Sequence, residues 1–435
     1  MNAIHFAYNT ALIPFDDIYK HATYLMKNKK EMHNALSEKY DTEYASFYLP
    51  FDLPMHHDIQ QVINRIKIHK PDVYIIIGIG GSNLGTYAIH QALFGTLYNE
   101  DQLCRVYYID TLDAQMVSTV SFQIKKELAV GNTIFLSCIS KSGTTLETII
   151  NFSVLSTTLK TYYPDTWQHY CIIITDYQSP LWQFAQDNSI ETITIPMLVG
   201  GRFSAFSSVG LFSLGLLGID IHQLCAGARD AITNCLEPDN TSYSISAISA
   251  SIIYQHYLQD IHIHDTFLFA PNLAGFGAWY RQLCAESLGK KNNHGKPVGI
   301  TPTISIGSTD LHSIGQLYVA GPLNRLTTFI YVPSSSDIYT KPDTLFEYIF
   351  NKNDIKISYT KTMQSIMQAT QETYNHHNHS FMTLTLSNIS AYTIGMLMQY
   401  KMIEILYLGY LLEVNPFDQP DVEEYKTKTR ALLDI

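Results

Sequence analysis

The stretch Val73-Tyr-Ile-Ile-Ile-Gly78-Ile-Gly-Gly-Ser82-Asn-Leu-Gly85 indicates the fold class of this 435-residue chain. Its first half is a continuous apolar run rich in isoleucine, which is typical of a parallel strand covered on both faces. Its second half is a glycine-rich turn that leads into a predicted helix ending near Leu93. A strand, a glycine loop and a helix present unpaired backbone N–H groups at the helix N-terminus, and these suit a phosphate.

This glycine loop matches neither of the two common nucleotide-binding motifs. In the dinucleotide fingerprint G-x-G-x-x-G the third glycine would fall on Asn83, and a P-loop would require a G-K-[ST] sequence that is absent from the loop. A glycine turn that is needed only for close packing explains the same residues. The loop by itself therefore leaves a packing role and a phosphate-binding role open.

Strand-like and helix-like patterns alternate through the rest of the chain. Further strands are predicted at residues 105–109, 133–140, 170–175 and 191–195, and a second series at 266–270, 302–306, 326–331 and 381–386, followed by a long apolar helix at 391–412. This alternation predicts an α/β fold with doubly wound parallel sheets. Because single cores stop growing near ~250–300 residues, the chain is long enough for two or three domains, and the two series of strands and helices indicate two domains of this kind. Their predicted bounds are 56–200 and 201–412, with an N-terminal helical segment at 1–55 and a C-terminal arm and helix at 413–435.

A second polar loop, Ser140-Lys-Ser-Gly-Thr-Thr-Leu-Glu147, follows another predicted strand. In doubly wound sheets ligands bind beyond the carboxyl ends of the strands, where this loop and the glycine loop both lie. Hydroxyl groups, a lysine and helix N-terminal amides together fit a phosphate monoester. Alternatively, Ser142 or Thr144 caps the next helix and Glu147 completes a capping box. The two roles are compatible, and two such loops on one sheet edge favour phosphate binding.

Two further stretches place charged residues beside glycine or apolar residues. In Val199-Gly-Gly-Arg202-Phe-Ser204 the glycines allow close approach and the arginine supplies a fixed positive charge, although a surface ion pair is an alternative. Glu286 follows the apolar-aromatic run Leu273–Tyr280. A carboxyl group in apolar surroundings is harder to ionise, which suits proton transfer near neutral pH. Taken alone, the position is more typical of a helix-end or ion-paired glutamate.

Composition narrows the possible functions. The formal charge of −11 at pH 7 argues against a nucleic-acid partner, so an anionic substrate needs a local cluster of Lys and Arg. The six cysteines show no C-x-x-C spacing and are predicted to be reduced thiols rather than zinc ligands. His376, His377 and His379 lack adjoining acidic or cysteine partners, so a solvated loop is expected there instead of a metal site.

No membrane segment is predicted. The N-terminus lacks a basic region followed by a continuous apolar stretch, so we expect no signal peptide. The apolar runs at 207–219 and 402–414 are limited by Asp220 and Glu404 and are too short to span a bilayer. We expect a protein of the cytoplasm.

Six stretches in this chain together resemble the glucose-6-phosphate isomerase family: Gly78–Ser82, Ser140–Thr145, Val199–Ser204, Gln282–Lys290, Ser308–Ser313 and Phe417–Lys426. They occur in the family's order, and the length is similar to that of the short bacterial form. The resemblance implies two sugar-isomerase (SIS) domains, each a flavodoxin-like five-stranded parallel sheet between helices. It also implies the reversible conversion of glucose 6-phosphate to fructose 6-phosphate without a metal or an organic cofactor.

The resemblance further implies a role for each matching residue. The phosphate would be held by the two loops, through Gly81, Ser82, Ser140, Lys141, Ser142 and Thr145. Glu286 would move a proton between C1 and C2, while Arg202 would face the enediolate. His312 and Lys426 would serve ring opening and closing, and the sugar would be lined by Glu147, Gln282 and Gln419. In this family the histidine enters from the neighbouring subunit, which implies a homodimer.

The implied reaction explains why these residue types occur together. Moving a proton between adjacent carbons needs a carboxylate that takes and returns it, and a permanent cation stabilises the enediolate. Ring opening needs a group that exchanges protons near neutral pH, as histidine does. A dual phosphoglucose/phosphomannose isomerase and a catalytically silent sugar-phosphate-binding regulator stay open as alternatives. The chain departs from the family pattern at Asp421, where glycine is usual, and at Met197, where a small or polar residue is common.

Overall fold

Two five-stranded β-sheets form the frame of the chain in a computed structural model. The structure describes residues 3–100, 102, 104–237, 243–333, 337–339, 348–350 and 356–434. Within these ranges the strands are β1 (Ile4–Ala7), β2 (Val73–Ile77), β3 (Arg105–Ile109), β4 (Ile134–Ile139), β5 (Cys171–Thr175), β6 (Glu191–Thr194), β7 (Ile263–Phe269), β8 (Lys290–Lys291), β9 (Pro297–Val298), β10 (Thr301–Ile306), β11 (Arg325–Tyr331) and β12 (Phe381–Leu386).

Helices connect and cover these strands. In the described ranges they are α1 (Phe15–Glu38), α2 (Leu53–Lys67), α3 (Leu84–Phe94), α4 (Ala114–Ala129), α5 (Leu146–Tyr162), α6 (Pro180–Asp187), α7 (Ser208–Leu216), α8 (Ile221–Leu236), α9 (Ile245–Leu258), α10 (Ala274–Leu288), α11 (Gly315–Ala320), α12 (Tyr359–His376), α13 (Ala391–Leu412) and α14 (Glu423–Leu432). Short 3₁₀ turns join several of them.

The first sheet has the order β3-β2-β4-β5-β6 and is parallel throughout. Every residue of β2, β4 and β5 is buried, because the apolar runs predicted from the sequence are covered on both faces. The glycine loop and the Ser140–Glu147 loop leave β2 and β4, which are neighbours in the sheet. The two predicted ligand loops therefore lie side by side at one edge.

The second sheet has the order β1-β12-β11-β7-β10, in which only β1 runs antiparallel to its neighbour among the described strands. The predicted α/β class with two parallel sheets is confirmed. Strand β1 lies in the segment that was expected to be helical, so that expectation is wrong for its first residues. Ile4 pairs with Leu386, far along the chain, and no local pattern of four residues predicts such a partner. The four-part domain division stays a prediction.

The helix α10 joins the two halves of the fold. It packs against α3 of the first sheet and against α13 and β10 of the second half. The backbone N–H of Gly275 donates to Oε1 of Gln91 at 2.6 Å, and a side chain at Gly275 would collide with that oxygen. Glu286 lies in the last turn of α10. Its position is therefore set by contacts with both halves of the chain.

An ion pair lies inside the core behind α10. Lys401 Nζ is 2.8 Å from Glu404 Oε2 on α13, and their side chains are only 3% and 2% exposed. Glu404 also accepts hydrogen bonds from the Tyr280 hydroxyl of α10 at 2.7 Å and from the Ser249 hydroxyl of α9 at 2.5 Å. Burial opposes the ionisation of Glu404, but the charges of Lys401 and His264 and the hydrogen bonds from Lys401 and Ser249 together outweigh it and lower the pKa of Glu404. The pair links three helices through one carboxylate.

The histidine-rich segment corrects one expectation. Residues 359–376 form α12, and His376 and His377 are exposed at its end. His379, which was expected in a solvated loop, is buried instead, and its Nε2 is 2.9 Å from the Val319 carbonyl oxygen. In the described residues no group of three or more His, Cys, Asp or Glu side chains is arranged to hold a metal ion. Among the described helices, none is both long enough and apolar enough to cross a membrane.

Candidate active site

A cleft of about 550 Å³ collects most of the predicted site residues. It is bounded by the loops after β2 and β4, the Gly201–Phe203 turn, one face of α10 and the C-terminal arm with α14. The predicted residues that line it are Gly81, Ser142, Thr145, Glu147, Arg202, Gln282, Glu286, Gln419 and Lys426. Long stretches of chain separate these residues, so only the fold brings them together.

The glycine loop packs directly on the turn that carries Arg202. A Cβ atom built on Gly81 would lie 2.2 Å from the carbonyl carbon of Gly201, so an alanine there would force the two segments apart. Gly80 has a φ of +59°, and a side chain on it would meet Gln282. The packing role that the sequence left open is therefore real at Gly81. The absence of a side chain at Gly81 lets the glycine loop contact the Arg202 turn.

The loop after β4 opens the N-terminus of α5 toward the cleft. Thr145 is the N-cap residue of α5, and no side chain accepts a hydrogen bond from the first amides of this fully described helix start. The Ser142 hydroxyl accepts instead from the backbone N–H of Thr144 at 3.3 Å, within the loop itself. The alternative in which Ser142 or Thr144 caps α5 is thus wrong. The amides are left available to an anion.

Three of the predicted phosphate residues do not line the cleft. Ser140 is buried and its hydroxyl donates to the Thr145 hydroxyl at 3.0 Å. Ser82 ends the 3₁₀ turn of the glycine loop. The Lys141 ammonium donates to the Met197 carbonyl at 2.5 Å. Burial lowers the pKa of Lys141, although nearby Asp176 partly opposes this. The expected phosphate cation is therefore directed at a backbone carbonyl in this structure.

Arg202 is the most constrained charged group of the cleft, with 3% of its side chain exposed. Its Nε donates to the Ser287 hydroxyl at 2.8 Å, and its Nη1 donates to Gln419 Oε1 at 2.5 Å. Its Nη2 donates to the carbonyls of Pro416 at 2.7 Å and Asp418 at 2.9 Å. Burial lowers the pKa of Arg202, while the carboxylates of the site oppose the shift. An arginine remains charged under these conditions.

Lys290 is a second cation that holds the C-terminal arm. Its Nζ donates to the carbonyls of Asn415 and Asp418 and to Asp418 Oδ1, each at 2.7 Å. Burial lowers the pKa of Lys290, and the Asp418 carboxylate partly restores it. Arg202 and Lys290 thus fix the same turn of the arm from two sides, and this turn leads into α14.

Glu286 lies beside the Arg202 guanidinium rather than in an apolar pocket. Its Oε2 is 3.6 Å from Arg202 Nη1, and its Oε1 is 3.3 Å from Gln282 Nε2. The side chain is 38% exposed. The apolar surroundings expected from the preceding run are wrong, because the carboxylate is partly exposed and its polar neighbours are Arg202 and Gln282.

The two residues implied in ring opening lie in different places, since Lys426 lines the cleft and His312 does not. Lys426 lines the cleft from α14, and its Nζ lies 2.6 Å from Glu423 Oε1 in an exposed pair. His312 is exposed at the end of the Thr309–Leu311 turn and is not among the described residues that line the cleft. Its expected entry into a neighbouring subunit's site stays a prediction.

Sequence reasoning missed one face of α14. Tyr425, Thr429 and Arg430 line the cleft together with Lys426. Tyr425 and Thr429 are four positions apart, as are Lys426 and Arg430, so the two members of each pair lie on the same side of the helix. This spacing is visible in the sequence, but the sequence does not show that α14 packs against the Ser140–Glu147 loop and so faces the cleft.

The fold and the site together define a class of protein. Parallel sheets with open amides beyond their carboxyl ends, and a carboxylate–guanidinium pair in the same cleft, are typical of α/β phosphosugar isomerases. Residues 69–434 match the sequence profile of the family described as phosphoglucose isomerase. The chain belongs to the phosphoglucose isomerase family. The resemblance noted from the six motifs is confirmed. The prediction that the chain is an aldose–ketose isomerase is confirmed with it.

Individual relatives agree with this assignment. The glucose-6-phosphate isomerase of a Thermus thermophilus strain is 31% identical over 392 residues, which are 88% of this chain and 89% of the relative. The crystal structure of a hypothetical protein from the same organism has a TM-score of 0.87 at 28% identity and covers 99% of both chains. The crystal structure of a glucose-6-phosphate isomerase from Chlamydia trachomatis has a TM-score of 0.83 at 18% identity, covering 99% of this chain and 88% of that one. This last likeness concerns the fold alone.

Proposed function

We propose that this chain interconverts D-glucose 6-phosphate and D-fructose 6-phosphate through ring opening and a cis-enediolate. The observation that carries the proposal is the pairing of Glu286 with the buried Arg202, 3.6 Å apart, in a cleft that also receives the open N-terminus of α5. Family membership and the names of the relatives support the same substrate pair.

The phosphate end of the substrate has two sources of binding in this proposal. The free amides of the first turn of α5 offer hydrogen bonds and a positive dipole end. The hydroxyls of Ser142 and Thr145 line the same part of the cleft. Gly81 brings the glycine loop against the Arg202 turn and so defines one wall. The sugar then extends toward Gln282, Gln419 and Glu147.

Glu286 is the proposed proton carrier between C1 and C2 of the open-chain sugar. It removes the proton from one carbon, and the same carboxyl group returns it to the other, so no external base is consumed. The enediolate between these steps bears negative charge on oxygen. Arg202 is suited to stabilise it because its guanidinium is held by four hydrogen bonds before the charge develops. Electrostatic stabilisation of this kind needs no rearrangement at the moment of reaction.

Ring opening is assigned to His312 and Lys426, with His312 supplied by a second copy in a homodimer. His312 is exposed and lies outside its own chain's cleft, which is compatible with such an exchange. A histidine moves protons readily near neutral pH. We also propose the cytoplasm as the compartment, which the six free thiols support.

The deciding experiment assays fructose 6-phosphate and mannose 6-phosphate side by side. We expect glucose 6-phosphate to appear from fructose 6-phosphate, as followed by an NADP-linked dehydrogenase assay. Conversion of the mannose ester as well would replace the proposal by a dual-specificity isomerase. Tight binding of sugar phosphate with no product would instead indicate a regulator.

Removal of metal ions is expected to leave the isomerase rate unchanged. Every step above uses side chains of this chain, with Arg202 in the position where a metal-dependent isomerase would use a cation. The measurement compares the initial rate before and after incubation with a chelator. A strong loss that added metal restores would contradict the enediolate mechanism proposed for these residues.

Arg202→Lys is expected to lower kcat/KM by about 100-fold, since the charge remains but the fixed fork toward the enediolate is lost. The measurement is steady-state isomerisation with a parallel thermal unfolding scan. Lys290→Met is the matched control, because it frees the same C-terminal turn without touching Glu286. An equal loss in both variants would mean that Arg202 acts only by anchoring the arm.

A further inference from the structure

The basic side chains of the cleft differ in how fully they are engaged. Arg202, Lys426 and Arg430 line it. Arg202 makes four hydrogen bonds and faces Glu286, and Lys426 is paired with Glu423. Within the described part of the chain, Arg430 has no carboxylate partner. Its one hydrogen bond is a long contact of 3.4 Å from Nη2 to the Thr144 carbonyl oxygen. Most of its five donors are therefore available to an anion.

The position of Arg430 is as informative as its free donors. Thr144 belongs to the loop whose residues 142 and 145 are the proposed phosphate ligands. The guanidinium consequently lies at the proposed phosphate end of the cleft, beside the residue that precedes the N-cap of α5. It reaches this place because Arg430 shares a face of α14 with Lys426, one turn earlier.

The charge of the cleft requires such a cation. Its lining contains three carboxylates, on Glu147, Glu286 and Glu423, against the three basic side chains. A sugar phosphate brings up to two further negative charges at neutral pH. Lys141, the cation expected for it, is directed at the Met197 carbonyl and does not line the cleft. Without Arg430 the formal charge of the lining is negative, and the whole chain repels an anion further.

We propose that Arg430 is a phosphate-binding residue of this site and that α14 contributes it as a bidentate clamp beside the N-terminus of α5. The inference rests on the proposed function and names a ligand contact that the family motifs do not include. A guanidinium matches two phosphate oxygens at once, which a lysine does not. Arg430 binds substrate and takes no part in the proton transfer at Glu286.

The test is the kinetic effect of Arg430→Gln on the isomerisation of fructose 6-phosphate. We expect KM to rise about tenfold, as for loss of one charge-assisted contact at an exposed site. We expect kcat to change less than about threefold, because the phosphate contact is present in ground and transition states alike. Arg430→Lys keeps the charge without the fork and is expected to show a smaller rise in KM.

Lys428→Gln is the matched control. It removes the same charge from the same helix, but Lys428 pairs with Glu424 at 2.5 Å and does not line the cleft. We expect its KM to equal that of the wild type. A KM within about twofold of wild type for Arg430→Gln would overturn the proposal. So would an equal rise in both variants, since it would reflect the general field of α14 alone.

A binding measurement separates this inference from the proposed reaction. Inorganic phosphate is expected to raise the thermal unfolding temperature of wild type and Lys428→Gln, because a ligand of the native state stabilises it. The shift should be largely lost in Arg430→Gln. If wild type proves inactive on fructose 6-phosphate, the proposed function fails while this result still supports Arg430 as an anion ligand. Equal shifts in all three proteins would refute the role of Arg430.

Discussion

Glu286→Gln is expected to lower kcat for fructose 6-phosphate by about 10³-fold while sugar-phosphate binding stays nearly unchanged. The amide has the shape of the carboxylate and can keep the contact to Gln282, 3.3 Å away. It cannot accept the proton from C1 or C2 and return it. Turnover is measured by the coupled assay, and binding by calorimetry with fructose 6-phosphate at the same pH.

A second amide substitution in the same cleft serves as the comparison. Glu147 lies in the first turn of α5 and lines the cleft, but it makes no pair with Arg202 among the described contacts. We expect Glu147→Gln to lower kcat by less than about tenfold, as for the loss of a sugar contact alone. Wild-type turnover in Glu286→Gln, or an equally severe loss in Glu147→Gln, would assign the proton transfer to another group.

Glu404→Gln is expected to lower the free energy of unfolding by about 3–5 kcal/mol, the usual cost of breaking a buried ion pair from one side. The amide leaves the Lys401 ammonium without its counter-charge in a site where both side chains are almost fully buried. The change also weakens the bond to Tyr280 on α10. The measurement is the midpoint of urea unfolding, compared at equal slope with the wild type.

Two variants make this result specific. Glu404→Gln combined with Lys401→Met removes both charges and is expected to recover most of the lost stability, because no unpaired charge remains in the core. Glu424→Gln breaks the exposed pair with Lys428, 2.5 Å apart, and should leave the midpoint nearly unchanged. A Glu404→Gln protein with the wild-type midpoint would show that water or another group compensates Lys401.

The local patterns of the sequence predicted the first sheet well, for a physical reason. β2, β4 and β5 are apolar runs that bury every residue, so their hydrophobicity alone identifies them. The loops that follow β2 and β4 contain glycines and hydroxyls whose preferences are local too. The long helix α13 was predicted with its observed bounds, 391–412, because it is apolar on all sides.

Other features depend on partners far along the chain and were not predictable from local patterns. β1 exists because β12 offers it an edge. The burial of His379 depends on the Val319 carbonyl, and the direction of Lys141 depends on the Met197 carbonyl. In each case the residue type allows several environments, and the distant partner selects one.

The candidate site also has features that local motifs predicted and features that depend on distant contacts. The cleft contains most of the residues that the motifs predicted, including Glu286 and Arg202, but Ser82, Ser140, Lys141 and His312 do not line it. The roles of all these residues stay predictions. The motifs did not predict that Glu286 would face a guanidinium instead of apolar side chains, or that Arg430 would contact the loop after β4. These are statements about distance, and spacing along the chain does not contain them.

By itself, then, the sequence of this chain determined the α/β class, the positions of the two loops after β2 and β4, and the family to which it belongs, because each rests on hydrophobic period, glycine placement or motif order. Only the tertiary structure decided which charges meet. The docking of α10 between the two halves sets the 3.6 Å pair of Glu286 and Arg202, and the position of α14 beside the loop after β4 sets the 3.4 Å contact of Arg430. The energy of an interaction between two charges depends on the distance between them, and the packing of the fold sets that distance.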